Sequence, residues 1–272
     1  MKNGLVYLLY ESRVQACRNW SSILDTQYPL CAAIIDNAST DGAASLFQSR
    51  GFPVHINEKN MGFTYGVNQG LKMLLEQDMD WIVILNPDVN CPPKWDAALL
   101  DPLTEEPTCG IVGARLVNPN GTLLHAGGII AKPQLMFWST CHDLGNGKAV
   151  VQNDAVCMTR FQHNLNDCKE PRKAPWVTFA AVALRAEMLR QVGLLDETYF
   201  LYCSDSQLCM RAWKSGWSVW YNPVTFVHEG SASMSAAGDD IQQMAQNDVR
   251  RFALMEEESW VHSVVDGLPK QM

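Results

Sequence analysis

The apolar positions of the chain fall into short runs that alternate with stretches of helical spacing. Leu5 to Tyr10 is a first strand-like run, and in Glu11 to Leu24 the residues Val14, Cys17 and Trp20 recur on one helical face. Cys31 to Ile35 is a second run. It stops at the polar, turn-forming Asp36-Asn37-Ala38-Ser39-Thr40-Asp41-Gly42, after which Ala43 to Arg50 reads as a short helix with Thr40 or Asp41 near its N-cap. Val54 to Ile56 is a short third strand. Beyond the loop that starts at Asn57, Thr64 to Gln77 carries the strongest helical stripe, formed by Val67, Leu71, Leu74 and Leu75. Gly62, Gly66 and Gly70 recur every four residues there. Glycine costs about 1 kcal/mol inside a helix, so the spacing points to close backbone approach, either to a ligand or to a neighbouring strand. Trp81 to Leu85 is a fully apolar run, closed by Pro87, which cannot donate to a sheet ladder.

This β-α-β-α-β-α-β order argues for a parallel sheet with helices on both faces. Ligands of such sheets bind outside the carboxyl ends of the strands. Tyr10, Asp36 and Asp88 all stand at such ends. A lone Asp after a strand is ordinarily a turn cap; three polar candidates on one edge are a stronger signal than any one of them.

The remainder is less regular. Lys94 to Leu103 reads as a helix, Cys109 to Leu116 as a strand, Asn118 to Gly121 as a tight turn and Thr122 to Ile130 as a strand. Ala131 to Lys173 has weak periodicity, and a loop of that length inside a domain is usually functional or disordered. Trp176 to Leu184 is expected as a strand, and Ala186 to Val192 as a helix closed by Gly193. The segment from Asp196 to Tyr202 is aromatic and turn-like. Asp205 opens a helix that runs to Lys214, and two strands follow, Trp217 to Tyr221 and Pro223 to Val227. Ile241 to Val261 reads as a charged helix packed on the outside.

Composition narrows the class of partner. A chain of 272 residues is long enough for one large domain or two small ones. Its net charge of -8 argues against a nucleic-acid partner held by bulk electrostatics, but leaves room for a nucleotide in a local site. No stretch approaches eighteen consecutive apolar residues, and the N-terminal residues lack the pattern of a signal peptide. The nine cysteines are scattered without CxxC spacing, which reads as reduced thiols in a cytoplasmic protein.

Taken together, the motifs resemble family 2 glycosyltransferases of the GT-A fold, most of all the bacterial rhamnosyl- and galactofuranosyl-transferase-like branch. The matching stretches are Ile34 to Gly42, Asn60-Met61-Gly62-Phe63 with Gly66 to Gly70, Leu85-Asn86-Pro87-Asp88-Val89, Gly113 to Leu116, Gly121 to Gly127, and Val192 through His228. The resemblance covers roughly Leu5 to Ser233. It implies a Rossmann-like, mostly parallel sheet flanked by helices. A GT-A domain would span residues 1–235, with a nucleotide-binding half at 1–115 and an acceptor and catalytic half at 116–235, followed by a helical extension at 236–272.

The resemblance also implies roles. Tyr10 matches the aromatic against which the nucleotide base rests, and Asp36 the carboxylate that bonds the base. Asn37, Asn60, Gly62, Asn68 and Asn86 fall in the stretches that meet the nucleotide sugar. Asp88 matches the last carboxylate of the DxD-type metal motif, with His228 completing the metal or diphosphate site. Mn²⁺ or Mg²⁺ would be the cofactor, since a hard divalent cation prefers oxygen ligands and balances the charge of a leaving diphosphate. Asp205 matches the base that takes the acceptor's proton. Among the aromatics that precede it, Trp176, Tyr199 and Tyr202 are candidates for an acceptor platform, whereas Trp213, Trp217, Trp220 and Tyr221 read as core. The expected partners are a nucleotide-diphosphate sugar such as a UDP-sugar and a saccharide-type acceptor of polysaccharide biosynthesis. Contact with a membrane surface is compatible with the chain; a transmembrane segment is not expected.

Three departures from the family pattern stand out. The first strand runs into Leu9-Tyr10-Glu11 where Thr-Tyr-Asn is usual. Ser204-Asp205 replaces a Glu-Asp pair, with Gln207 where an acid is usual. Asn86-Pro87-Asp88 leaves one carboxylate where some members have two or three. Two rival functions follow: a nucleotide-sugar-binding protein that has lost catalysis, distinguished by donor binding without transfer, and a nucleotidyltransferase on a similar sheet. The second would want a basic, glycine-rich loop after the first strand, and Tyr10 to Arg13 contains no glycine.

Overall fold

The computed structural model describes residues 1–131, 136–143, 148–152, 161–164, 169–230, 239–255, 263–264 and 267–268. Four strands, β1 (Asn3–Leu9), β2 (Leu30–Asp36), β3 (Val54–Ile56) and β4 (Trp81–Leu85), run parallel in the order β3-β2-β1-β4. Their crossovers carry α1 (Arg13–Ile23), α2 (Ala43–Ser49) and α3 (Gly62–Leu75). Successive residues of β1 face opposite sides of the sheet, so Leu5, Tyr7 and Leu9 join one core and Val6 joins the other. The first core includes Trp20, Phe47 and Trp95; the second includes Val67, Leu71, Leu74 and Leu208.

The glycines of α3 answer the question their spacing raised. A Cβ on Gly66 would lie 2.5 Å from Leu8, and one on Gly70 would lie 2.7 Å from Val6. At these two positions the helix approaches β1 itself. On α1 the buried face is Ala16, Asn19, Trp20 and Ile23, whereas Val14 is 65% exposed and Cys17 is exposed. The expected Val14-Cys17-Trp20 face is therefore corrected. Asn19 takes its place in the interior because its amide is satisfied, donating to the Pro87 carbonyl at 3.1 Å and accepting from Asn90 at 3.3 Å.

Beyond β4 the sheet is mixed rather than parallel. After β5 (Val89–Asn90), α4 (Trp95–Leu100), β6 (Cys109–Val117) and β7 (Leu123–His125), the chain enters β8 (Ile129–Ala131), β9 (Met136–Asp143), β10 (Lys148–Gln152) and β11 (Phe161–Asn164). These last four form a separate antiparallel sheet. The stretch from Ala131 to Lys173 is thus not a structureless loop. Its strands carry consecutive polar residues, as in Ser139-Thr140 and Gln162-His163-Asn164, which dilutes the period-two signal.

After β12 (Arg172–Lys173), strand β13 (Ala181–Arg185) inserts antiparallel between β4 and β6. The expected strand from Trp176 is shortened: Trp176, Val177 and Phe179 are apolar because they fill the core, outside the ladder. Helices α5 (Ala186–Val192) and α6 (Ser204–Lys214) follow. Then β14 (Ser218–His228) runs as one strand parallel to β6, with a register shift between Asn222 and Thr225, around Pro223. Helix α7 (Asp239–Met255) ends the large elements; the end of the expected Ile241 to Val261 helix lies outside the described residues. Among the described residues no helix is long and apolar enough to cross a membrane.

Candidate active site

A cleft of about 150 Å³, partly open to solvent, lies at the carboxyl edge of the parallel strands. Tyr10, Asn37, Asn60, Gly62, Asn86 and Asp88 all line it. Each comes from a loop that leaves a strand or enters α3, which is why local motifs found them.

The floor is built by side chains that stiffen these loops. Asp36, at the end of β2, is buried and is not among the residues that line the cleft. Its Oδ1 accepts the Ser39 N–H at 2.7 Å, while its Oδ2 is buried with no protein partner. Burial raises its pKa, and the Ser39 hydrogen bond opposes that rise. Asn37 uses its whole amide on the next loop. It donates to Asn60 Oδ1 at 2.7 Å and the Gly62 carbonyl at 3.0 Å, and accepts from Asn57 and the Met61 N–H, both at 3.0 Å. Glu11 lines the cleft in the left-handed region, with φ of 44°. Its Oε1 accepts from the Thr40 N–H at 2.8 Å and the Thr40 hydroxyl at 3.0 Å. The departure from Asn at this position thus acts as a clamp between the first two strand ends.

The fold brings Asp88 and His228 together from distant parts of the sequence. β14 pairs with β5 so that His228 faces Val89, and His228 Nε2 lies 3.1 Å from Asp88 Oδ1. Both side chains are about 15% exposed. The other ring nitrogen, Nδ1, is buried without a partner. The Asp88 carbonyl accepts the Glu229 N–H at 2.9 Å, and Arg18 holds the Glu229 carboxylate at 2.9 and 3.0 Å. Among the described residues no cluster of three or more His, Cys, Asp or Glu side chains has metal-binding spacing. One carboxylate and one imidazole suit a divalent ion of the kind held by few protein groups together with substrate phosphates.

Asp205 stands in the first turn of α6, half-buried, and its Oδ1 accepts the Ser206 N–H at 2.7 Å. It is not among the residues that line the cleft. Gln207 has a structural partner: it accepts from Arg211 Nε at 2.8 Å, and Arg211 in turn donates to the Val192 and Leu194 carbonyls. Its amide therefore ties α6 to the end of α5.

Three residues expected at the site belong elsewhere. Asn68 is buried and spends its amide on the chain, donating to the Leu195 carbonyl at 2.8 Å and to Glu197 at 2.9 Å and accepting the Leu195 N–H at 3.1 Å. Trp176 is buried against His125, with ring centroids 5.3 Å apart. Tyr199 is buried against Phe252 of α7, at 6.5 Å. Neither ring has a face left for a sugar, whereas Tyr202 is 43% exposed.

The structure also reveals what the motifs missed. Phe200, Leu201 and Ile241 line the cleft. Asp248 of α7, only 3% exposed, accepts the N–H groups of Phe200, Leu201 and Tyr202 at 2.8, 2.7 and 2.9 Å. The available signal was a charged residue on an otherwise apolar stripe, since Ile241, Ala245, Asp248 and Phe252 share one helical face.

Comparison with known proteins agrees with this geometry. The model of Glycosyl transferase family 2 matches residues 13–190. The chain is similar to the N-acetylglucosaminyl-diphospho-decaprenol L-rhamnosyltransferase of Mycobacterium tuberculosis, 29% identical over 210 residues, covering 74% of this chain. The chain spans 66% of the length of the curated relatives it matches. Among solved structures, GalNAc-T7 with UDP, GalNAc and Mn²⁺ superposes with a TM-score of 0.62 at 14% identity, over 84% of this chain and 43% of that one. The mannosyltransferase PcManGT from Pyrobaculum calidifontis, in complex with GDP-Man and Mn²⁺, gives 0.54 at 14% identity, over 98% and 74%. S. aureus TarS 1-349 in complex with UDP-GlcNAc gives 0.56 at 15% identity, over 97% and 70%. The fold is GT-A, and the chain belongs to glycosyl transferase family 2.

Proposed function

We propose that this family 2 chain is an inverting glycosyltransferase that moves a sugar from a nucleotide-diphosphate sugar to an acceptor hydroxyl, with a divalent cation at the donor diphosphate. The observation that carries the reading is the convergence of Tyr10, Asn37, Asn60 and Asn86 with Asp88 on one cleft at the strand ends. Asp36 does not line the cleft, but its buried, unpartnered Oδ2 is an acceptor suited to an N–H of a nucleotide base.

Asp88 and His228 are the residues that would hold Mn²⁺ or Mg²⁺. The polar contact between them and the unsatisfied His228 Nδ1 mark a pair whose polar groups are not all used by the protein. Such an ion supplies positive charge against the leaving diphosphate. Tyr10 supports the base, and the pinned 57–62 loop fixes the wall beside it. In a single displacement, the acceptor oxygen forms a bond to the anomeric carbon, and the bond to the diphosphate oxygen breaks with its electron pair. Asp205 takes the acceptor's proton. The rhamnosyltransferase relative makes a deoxyhexose donor and a lipid-diphosphate-linked saccharide acceptor the first pair to try. Residues 1–235 would form the transferase domain. The scattered cysteines, without CxxC spacing, are in keeping with a cytoplasmic setting.

The test is a panel of nucleotide sugars, each assayed for thermal stabilisation with and without Mn²⁺ or Mg²⁺. A ligand at one hundred times its Kd adds about 2.7 kcal/mol, a readily measured shift. The correct donor should stabilise the wild type more with the cation, and Asp88→Ala should abolish that increment. Full transfer in excess chelator would remove the metal from the mechanism, and absence of stabilisation by any nucleotide sugar would remove the donor.

A further inference from the structure

We propose that Asp248, on the C-terminal helix, is a positioning residue of the transfer site: it holds the segment 200–202, which walls the cleft and leads into the helix that carries Asp205. The proposal rests on the functional reading above and adds to it an element outside the matched family region, which ends at residue 190.

Three consecutive backbone N–H groups converge on the Asp248 carboxylate. Oδ1 takes Phe200, and Oδ2 takes Leu201 and Tyr202. Successive N–H groups pointing into one concavity make a nest for an anion, and here the protein fills the nest with its own side chain. Such charge-assisted bonds are short and about twice as strong as neutral ones. Both oxygens are used, so an amide cannot substitute: one end of Asn would turn an NH₂ toward N–H donors.

The same helix grips the segment at two further levels. Ile241 reaches the cleft, and Phe252 packs on Tyr199. The held segment has little freedom elsewhere. The Phe200 carbonyl faces the start of α3, accepting the Thr64 N–H at 3.4 Å, and a Cβ on Gly62 would lie 2.5 Å from it. Cys203 then turns the chain in the left-handed region, with φ of 67°, and α6 begins at Ser204. Between the clamp and Asp205 there are only Cys203 and Ser204, so a shift of the clamped residues moves the proposed base. Misplacement of a reacting group by about 1 Å can cost about 10²-fold in rate. The donor-side groups Tyr10, Asp36 and Asp88 sit on other elements, and although Phe200 and Leu201 line the same cleft, donor affinity should fall much less than the rate.

The test uses the full chain and two variants, Asp248→Asn and Asp248→Glu. Hydrogen exchange over residues 198–205 reads the clamp directly. UDP affinity in the presence of Mn²⁺ reads the donor side, and kcat with the donor found above reads the base. Asp248→Asn should raise exchange at Phe200 to Tyr202 at least tenfold and lower kcat by roughly 10- to 100-fold, with UDP affinity within about threefold of wild type. Asp248→Glu, which keeps the carboxylate but displaces it by one methylene, should fall between the two. Unchanged exchange, unchanged kcat, or UDP affinity that falls in step with kcat overturns the proposal. If Asp248→Asn does not fold, the kcat and affinity of Asp248→Glu decide by the same criteria. A wild-type chain that transfers no sugar from any donor removes the functional reading and with it a role in transfer, while the exchange data still decide whether Asp248 holds the segment.

Discussion

Asp36 ends β2 and Asp88 lies three residues past β4, so the strands of the parallel sheet bring both to one edge, where β14 adds His228 and Glu229 against Asp88. Asp205 has no such support: its helix begins after a loop held by Asn68 of α3, by Asp248 of α7 and by the Phe200 carbonyl against α3. The strand-end residues of the cleft are therefore placed mainly by the sheet, whereas Asp205, outside the cleft lining, is placed by side chains drawn from remote parts of the sequence. The difference suits two tasks. A nucleotide needs a rigid, prebuilt surface at the strand ends. An acceptor hydroxyl must meet a base at the right distance, and that distance depends on how several elements settle on one another. On this view, damage to the first side should show as lost donor affinity, and damage to the second as lost rate.

The largest effect should come from the base. Asp205→Asn keeps the shape and much of the capping ability of the side chain while removing its basicity. Transfer should fall by about 10²- to 10⁴-fold with donor affinity nearly unchanged, read by steady-state kinetics beside direct binding. Transfer at the wild-type rate would make Asp205 only the start of a helix. A collapse of donor binding would erase the separation between the two sides.

Asp36→Ala tests the opposite side and should do less. A hydrogen bond to a charged group contributes about 1.5–3 kcal/mol, so nucleotide affinity should fall at least roughly tenfold. Rate at saturating donor should stay near wild type. Calorimetric titration with nucleoside diphosphates measures it, and unchanged affinity for all of them would leave the buried Oδ2 unexplained.

The same division decides what was legible in the sequence. β1 to β4 and the loops after them were readable because Tyr10, Asp36 and Asp88 stand at or near the ends of apolar runs, marked by Asp36-Asn37 or Asn86-Pro87. Asn68 reads as a ligand contact because it is an amide within a helical motif, and nothing local shows that Leu195 and Glu197 take that amide in the fold. Trp176 and Tyr199 are buried in the fold, and the sequence could not show this because an aromatic residue suits a core as well as a sugar platform. Their partners, His125 and Phe252, lie far away in sequence. The hairpins within Ala131 to Lys173 were lost in polar residues, and Asp248 was hidden in a helix whose charge suggested an outer surface. What could be read was what the chain does locally.

The smallest effect expected is that of Gly66→Ala, and it bears on whether the donor side is as rigid as its local origin suggests. The added methyl would lie 2.5 Å from Leu8 Cδ1, closer than real contacts allow, and 3.1 Å from its Cδ2, tighter than most. Both neighbours are the far end of a flexible, half-buried side chain, so Leu8 can give way where backbone could not. Overpacking of this kind costs about 1–3 kcal/mol. Against it stands the gain of about 1 kcal/mol when alanine replaces glycine inside a helix. The crowding should win narrowly, for a net loss of roughly 0–2 kcal/mol. In a domain of this size that corresponds to a fall in Tm of a few degrees, about 2–4 °C per kcal/mol. Leu8 lines the cleft, so its new rotamer should also alter nucleotide affinity slightly, by less than about threefold. Thermal melting and nucleotide titration of the one variant test both halves of the argument. A loss of affinity beyond tenfold in protein that melts normally would mean that Gly66 makes room for the ligand rather than for β1, and the seat of α3 on that strand would no longer explain the glycine repeat.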